Sequence, residues 1–219
     1  MSTIGFMGGT GSEGQGLALR FAIAGEHILI GSRTEDRAIK VANKLRESIS
    51  PLDHLKIDGH TNTSVANIAD IVFLTIPYIA QKEILPDLST KLKGKIVVST
   101  VVPVEFKQKV AIAKSVPDGS ASQEAQRLLP NSILIGAFQT ISAKDLLDYK
   151  SEIDSDVVVC GDDIHAKSFV MNLAEKVEGI RAFNGGGLSN SRHVENLTIL
   201  LLSINSNHKI RTGIKLTGI

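Results

Sequence analysis

Ile4-Gly5-Phe6-Met7-Gly8-Gly9-Thr10-Gly11-Ser12-Glu13-Gly14-Gln15-Gly16-Leu17 decides the fold of this chain. The first four residues are short and apolar and read as a strand. The stretch Leu17-Ala18-Leu19-Arg20-Phe21-Ala22-Ile23-Ala24 carries apolar residues at helical spacing and stops at Gly25, a natural helix end. Between them lies G-x-G-x-x-G, formed by Gly9, Gly11 and Gly14. In a strand–loop–helix setting this is the fingerprint of a Rossmann dinucleotide site. Gly9 serves a sharp turn, Gly11 removes the Cβ that would block a pyrophosphate, and Gly14 lets helix and strand pack closely. The phosphates then meet the unpaired N–H groups and positive dipole end of the helix, with Ser12 in its first turn.

The next strand, Ile28-Leu29-Ile30, leads into Gly31-Ser32-Arg33, with Arg37 one helical turn on. A site for NAD places Asp or Glu here to hold the ribose 2′-hydroxyl. A carboxylate repels a 2′-phosphate, whereas a hydroxyl and two guanidinium groups bind it through charge-assisted hydrogen bonds. Ser32, Arg33 and Arg37 therefore select NADP(H). Glu13 is out of place beside a pyrophosphate and is expected to point to solvent.

Charge and composition exclude other classes. With 24 Lys and Arg against 23 Asp and Glu in 219 residues, the net charge is +1, so nothing draws the chain to nucleic acid or to a membrane surface. One cysteine, Cys160, permits no internal disulfide and suits a reducing cytosol. The apolar run Leu197 to Ile204 is far short of the ~20 residues of a membrane helix. A core strand at the N-terminus leaves no room for a signal peptide. The expectation is a cytoplasmic enzyme of small molecules.

Strands and helices alternate through the rest of the chain, predicting an α/β, doubly wound, mostly parallel sheet. Thr34 caps a helix bearing Ala38, Val41, Ala42 and Leu45. Residues 71–76 are nearly continuous apolar sequence, as in a strand buried on both faces. Further strands are expected at 96–99, 133–136, 157–159 and 180–183. Helices are expected at 80–88 and 163–176, with a long final helix from 188 or 189 to about 205. Three strand ends carry small or polar residues: Thr75-Ile76-Pro77-Tyr78, Ser99-Thr100-Val101-Val102-Pro103 and Ala137-Phe138-Gln139-Thr140-Ile141. Ligands of open parallel sheets bind at the carboxyl ends of strands, so these segments should frame one crevice.

Over nearly its whole length the chain resembles the coenzyme F-420-dependent NADP reductases. The resemblance is carried by Gly8-Gly9-Thr10-Gly11, Gly16-Leu17-Ala18-Leu19-Arg20, Gly31-Ser32-Arg33, Leu74-Thr75-Ile76-Pro77, Val102-Pro103-Val104, Cys160-Gly161-Asp162-Asp163 and Leu188-Ser189-Asn190-Ser191-Arg192 with Val194-Glu195. It implies reversible hydride transfer between NADPH and the 8-hydroxy-5-deazaflavin F-420, commonly in a homodimer. It further implies that Thr10, Ser32, Arg33 and Arg37 contact adenosine and the 2′-phosphate, and that Thr75, Ile76, Pro77 and Val102 form the dinucleotide rim. Gln139 and Ile141 would lie near the stacked rings. Read from the residues alone, Ser189, Asn190 and Ser191 either cap the last helix or, with Arg192, anchor an anionic cofactor tail. Residues 1–142 would form the NADP-binding Rossmann domain. Residues 143–219 would be a C-terminal α/β extension completing the deazaflavin pocket, within the same sheet or beside it. Two departures stand out: family members carry histidine where this chain has Gln139, and tryptophan where it has Tyr78.

Ring-to-ring hydride transfer asks mainly for orientation, so no obligatory side-chain acid or base is expected, and no metal. Asp162 and Asp163 read as helix caps, Cys160 as a buried small residue, and the six histidines show no ligand spacing. Two alternatives stay open: an NADPH-dependent reductase of a flavin, ferric chelate, carbonyl or imine, and a non-catalytic NADPH-sensing module.

Overall fold

The computed structural model describes residues 2–49, 55–108 and 110–219. In chain order the elements are β1 (Thr3–Met7), α1 (Ser12–Ile23), β2 (His27–Ser32), α2 (Glu35–Ser48), β3 (Ile57–Thr61), α3 (Asn62–Ile68), β4 (Ile71–Leu74), α4 (Gln81–Leu88), β5 (Ile96–Ser99), β6 (Val104–Lys107), β7 (Val110–Ala113), α5 (Ala121–Leu128), β8 (Ile133–Gly136), α6 (Ala143–Leu147), β9 (Ser155–Gly161), α7 (Ile164–Ala174), β10 (Ile180–Asn184) and α8 (Ser191–His208). Eight strands form one sheet in the order β10-β9-β8-β5-β4-β1-β2-β3, and β6 pairs with β7 in a separate hairpin. The six strands from β3 to β8 run parallel, with β1 inside, in the order of a dinucleotide-binding sheet. β9 then joins β8 antiparallel through Ile135–Gly161 and Gly136–Cys160, and β10 follows parallel to β9.

Alternation along each strand explains why both faces are covered. Ile4, Phe6, Ile28, Ile30, Ile71, Phe73 and Ile135 point to one face, where α1 and α2 supply Leu17, Phe21, Ala38 and Leu45. Met7, Leu29, Val72, Leu74, Val97 and Leu134 point to the other, against Val65, Leu85, Ala121 and Ala125. Phe6, Phe21, Phe73 and Phe138 form an aromatic cluster with Phe6 and Phe73 centroids 5.0 Å apart and Phe21 edge-on to Phe138 at 5.9 Å. Burial of four rings of this size is a large share of the core's apolar free energy.

The strands expected at 96–99 and 133–136 are found with those bounds, and the C-terminal helix runs three residues further than expected, to His208. Thr34 sits at the N-cap of α2, but its hydroxyl makes no capping hydrogen bond. Asp163 does cap α7, accepting the N–H of Ala166 at 2.8 Å. No local sequence pattern predicts β3 and α3, the β6–β7 hairpin, α5 or α6.

Candidate active site

The glycine loop joins β1 to α1 with its tightest backbone at Gly8, whose φ is 75°. The turn thus falls one residue before Gly9, where it was expected. At Gly9 a Cβ would come within 2.8 Å of the Phe6 Cβ, so the loop lies too close to its own strand for a side chain. A Cβ at Gly14 would meet Gly9 Cα at 2.7 Å and Thr75 Oγ1 at 2.8 Å, which is the close packing expected there. Gly11 instead faces open space, with nothing nearer than 3.8 Å. It is the N-cap of α1 and supplies no capping side chain, which leaves the first N–H groups of the helix without a side-chain partner. Asn62, the first residue of α3, accepts the N–H of Gly8 at 3.1 Å and so braces the loop from outside. Its role had no signal in the sequence.

Beyond this loop a cleft of about 1190 Å³ opens along the carboxyl ends of the parallel strands. Ser12 and Glu13 of α1, Thr75–Ile79 after β4, Thr100–Val102 after β5 and Gln139–Lys144 after β8 line it. The three strand ends therefore do frame one crevice. Its remaining wall is made by α8 through Thr198, Leu201, Leu202 and Asn205, and by the C-terminal tail through Lys209 to Thr212. The tail is tied down: Arg211 pairs with Asp145 at 3.0 Å, and Asp156 N–H donates to Ile214 O at 2.8 Å.

The floor is held by a short polar chain. Gln139 is 5% exposed; its Nε2 donates to Ser99 O at 3.2 Å, while its own carbonyl accepts from Thr198 Oγ1 at 3.0 Å. Its Oε1 has no partner. The preceding residue, Phe138, has φ 70°, a conformation that L side chains rarely adopt, and is held there by the aromatic cluster. Stored backbone strain of this kind persists only where surrounding packing over-determines it. Thr75 Oγ1 donates to Met7 O at 2.9 Å, tying the end of β4 to β1. Arg20, buried on α1, donates to the carbonyls of Asp145, Leu146, Asp148 and Ser151 and so fixes α6 and the turn after it against α1.

Of the predicted residues, Ser12, Thr75, Ile76, Pro77, Val102, Gln139 and Ile141 line the cleft. Ser32, Arg33 and Arg37 sit at the end of β2 and start of α2, on the same sheet edge as the glycine loop; Ser32 is buried and both arginines are exposed. Gly31 is the contact between the two, its N lying 3.5 Å from a Cβ placed at Gly9. Ser189, Asn190 and Arg192 do not line the cleft. Asn190 Nδ2 donates to Gly185 O at 2.8 Å, and Asp162 Oδ1 accepts the N–H of Leu188 at 2.9 Å, so this segment is engaged in closing its own turn. Glu13 departs in part from expectation: the residue is half-buried, its Oε1 is shut off from solvent inside the cleft without a hydrogen bond, and burial pushes the carboxyl up to about 8. Cys160 is fully buried at the end of β9, and burial raises its thiol as well, which suits packing and not nucleophilic attack.

A family model described as NADP oxidoreductase, coenzyme F-420-dependent, matches residues 3–103. The F-420-dependent NADP reductase of Methanothermobacter marburgensis is 38% identical over 221 residues, covering 99% of this chain and 98% of that protein. That of Methanocaldococcus jannaschii is 37% identical over 220 residues, covering 99% and 98%. This chain belongs to the F-420-dependent NADP reductase family. The same fold appears in the crystal structure of a putative F-420-dependent NADP-reductase from Arthrobacter sp. FB24, with a TM-score of 0.81 at 21% identity over 99% of this chain and all of that one. Within this family framework the match to the family model ends at residue 103, just after the β5 rim, while the full-length relatives extend it through α8. Among the described residues no group of three or more His, Cys, Asp and Glu is arranged to hold a metal ion, and no helix is long and apolar enough to cross a membrane.

Proposed function

We propose that this reductase transfers hydride reversibly between NADPH and the deazaflavin coenzyme F-420. The observation that carries the reading is the single cleft running from the uncapped start of α1 to Gln139, along one sheet edge, beneath α8. NADPH supplies the hydride from nicotinamide C-4, and the deazaflavin ring accepts it. The chain's own contribution is placement. Gly11 leaves room for the pyrophosphate at the helix N-terminus, Ser32, Arg33 and Arg37 take the 2′-phosphate, and Thr10 adjoins the adenosine. Ile76, Pro77, Val102 and Ile141 form the apolar walls that hold two flat rings face to face and keep water out. Gln139, fixed through Ser99 and Thr198, presents its free Oε1 to a ring N–H. Pre-orientation of this kind can supply several kcal/mol of the barrier without an acid or base.

Residues 1–142 would then be the dinucleotide half and 143–219 the half that completes the acceptor pocket. Residues Ser189, Asn190 and Arg192, outside the cleft, are left as an anchor for an anionic tail that leaves it. A homodimer in the cytoplasm is the expected assembly and location. Exposed Leu200 on α8 and Phe106, Val110 and Ile112 on the β6–β7 hairpin give the chain an apolar surface for a second copy, which sedimentation would detect as twice the monomer mass.

The test is a rapid-mixing spectrum of purified protein with NADPH and oxidised F-420, following loss of the deazaflavin's visible absorbance. NADH, FMN and FAD serve as controls. Bleaching selective for NADPH and F-420 supports the reading. NADPH binding without bleaching overturns it.

A further inference from the structure

Glu13 lies in the first turn of α1 and lines the cleft beside Ser12, on the side formed by the ends of β4, β5 and β8. Its Oε1 is closed to solvent and meets no hydrogen-bond donor from the protein. A carboxyl in this position needs a partner that arrives with the ligand. Burial alone, with no neighbouring charge contributing, moves its titration up to about 8. The charged groups on the cleft lining come from other elements: Lys144 from α6 and Lys209 and Arg211 from the tail, Arg211 being engaged by Asp145. On α1 itself, Arg20 is turned away to the carbonyls after α6.

Resting on the reading that this cleft receives the dinucleotide, we infer that Glu13 sets the preference between its redox states. Its carboxyl hydrogen-bonds the carboxamide at the nicotinamide end, and when ionised it favours the cationic oxidised ring over the neutral reduced one. Glu13 shares the cleft with the ends of β4, β5 and β8, where the proposed function seats the rings, whereas Ser32, Arg33 and Arg37 are absent from this lining. NADP⁺ and NADPH differ at the ring by one positive charge. A carboxylate with one oxygen shut off from water acts on that charge more strongly than one wholly in solvent. The pyrophosphate and 2′-phosphate are common to both forms, so their effects cancel in the ratio of the two affinities. By linkage, bound NADP⁺ lowers the proton affinity of Glu13 relative to bound NADPH, so the net proton release on binding is greater with NADP⁺ than with NADPH.

The experiment measures dissociation constants for NADP⁺ and NADPH between pH 6 and pH 9, for the wild type and Glu13→Gln. In the wild type the ratio Kd(NADPH)/Kd(NADP⁺) should rise about tenfold across this range, the result of a one-unit difference in Glu13 titration between the two complexes. In Glu13→Gln it should be flat. A flat ratio in the wild type, or an equal rise in the variant, overturns the inference. Calorimetry of the wild type alone at pH 8, in two buffers of different ionisation enthalpy, gives an independent reading: more proton release with NADP⁺ than with NADPH is expected, and equal release overturns it. Failure of both dinucleotides to bind at pH 6 would overturn the cleft assignment itself. Absence of F-420 reduction, with both bound, would strike the proposed reaction and leave the Glu13 inference standing.

Discussion

The carboxylate of Glu195, on α8, accepts the backbone N–H of Ala121, the first residue of α5, at 2.8 Å. Ser122 adds its N–H at 3.1 Å and its hydroxyl at 2.9 Å, so a single buried side chain caps a helix that starts 74 residues earlier in sequence. One turn further along α8, Thr198 holds the carbonyl of Gln139. The C-terminal helix is thereby locked to both the α5 layer and the cleft floor.

Glu195→Ala therefore leaves three donors unpaired in the interior. The expected loss is roughly 2–4 kcal/mol. For a chain of this length that corresponds to a Tm lower by roughly 4–16 °C in a calorimetric or fluorescence melt. Glu195→Gln keeps one acceptor oxygen and should lose less. A melt of the alanine variant within about a degree of wild type would show that α8 does not depend on this cap.

Arg33→Ala tests the cofactor assignment. A guanidinium bound to the 2′-phosphate contributes roughly 1.5–3 kcal/mol, so NADPH affinity should fall about 10- to 100-fold. NADH, which lacks that phosphate, should lose less than about twofold by the same reasoning. Titration of the quenching or enhancement of nicotinamide fluorescence reads both. Equal losses for the two cofactors would remove Arg33 from the phosphate site.

Gln139, on the cleft floor, does not titrate, whereas the histidine that the family resemblance implies at this position would. Gln139→His should add to the acceptor kcat/KM a pH step near 6.5, the ordinary histidine value. Dividing the variant's pH profile by that of the wild type isolates this step from every other titrating group. A featureless quotient would mean that position 139 does not sense the charge on the reacting rings.

The parts of this molecule that were legible in the sequence are those where one local rule dominates. The glycine loop, β4 and β5 announce themselves because burial on both faces demands unbroken apolar runs, and loops near phosphates demand glycine. β3 was hidden because Ile57-Asp58-Gly59-His60-Thr61 is an edge strand with one buried position, so neither an apolar run nor a clean alternation remains. The β6–β7 hairpin was hidden for a related reason: it leaves the main sheet, and all but one of its described residues stay at least partly exposed. The antiparallel turn into β9 depends on how chain segments cross, which no local pattern encodes. At the site, the strand ends were readable from their small and polar residues, but Glu13 was misplaced. Its sequence position beside a pyrophosphate argues for solvent, whereas packing along the cleft leaves it half-buried with one carboxyl oxygen shut off. The contributions of Thr198 and Asn62 rest on contacts 59 and 54 residues apart in sequence.

The same enclosure makes the stability of the protein depend on pH through Glu13. Its carboxyl titrates near its ordinary 4.5 in the unfolded chain and at about 8 when folded, because burial disfavours the charge. Between these values the folded chain holds a proton that the unfolded chain has released. Stability from this group is thus fully present below the unfolded value, declines above it, and is lost once pH has risen through the folded one. Glu13→Gln removes the decline. The unfolding free energy of the variant minus that of the wild type should therefore be constant below about pH 4.5, grow from there to about pH 8, and level off above it, reaching up to a few kcal/mol. Urea denaturation of both chains at one-unit pH intervals measures the difference directly; Glu195, which burial pushes up to about 7, cancels because both chains retain it. A difference that does not change with pH would mean that the Glu13 carboxyl is as well solvated in the folded protein as in the unfolded chain.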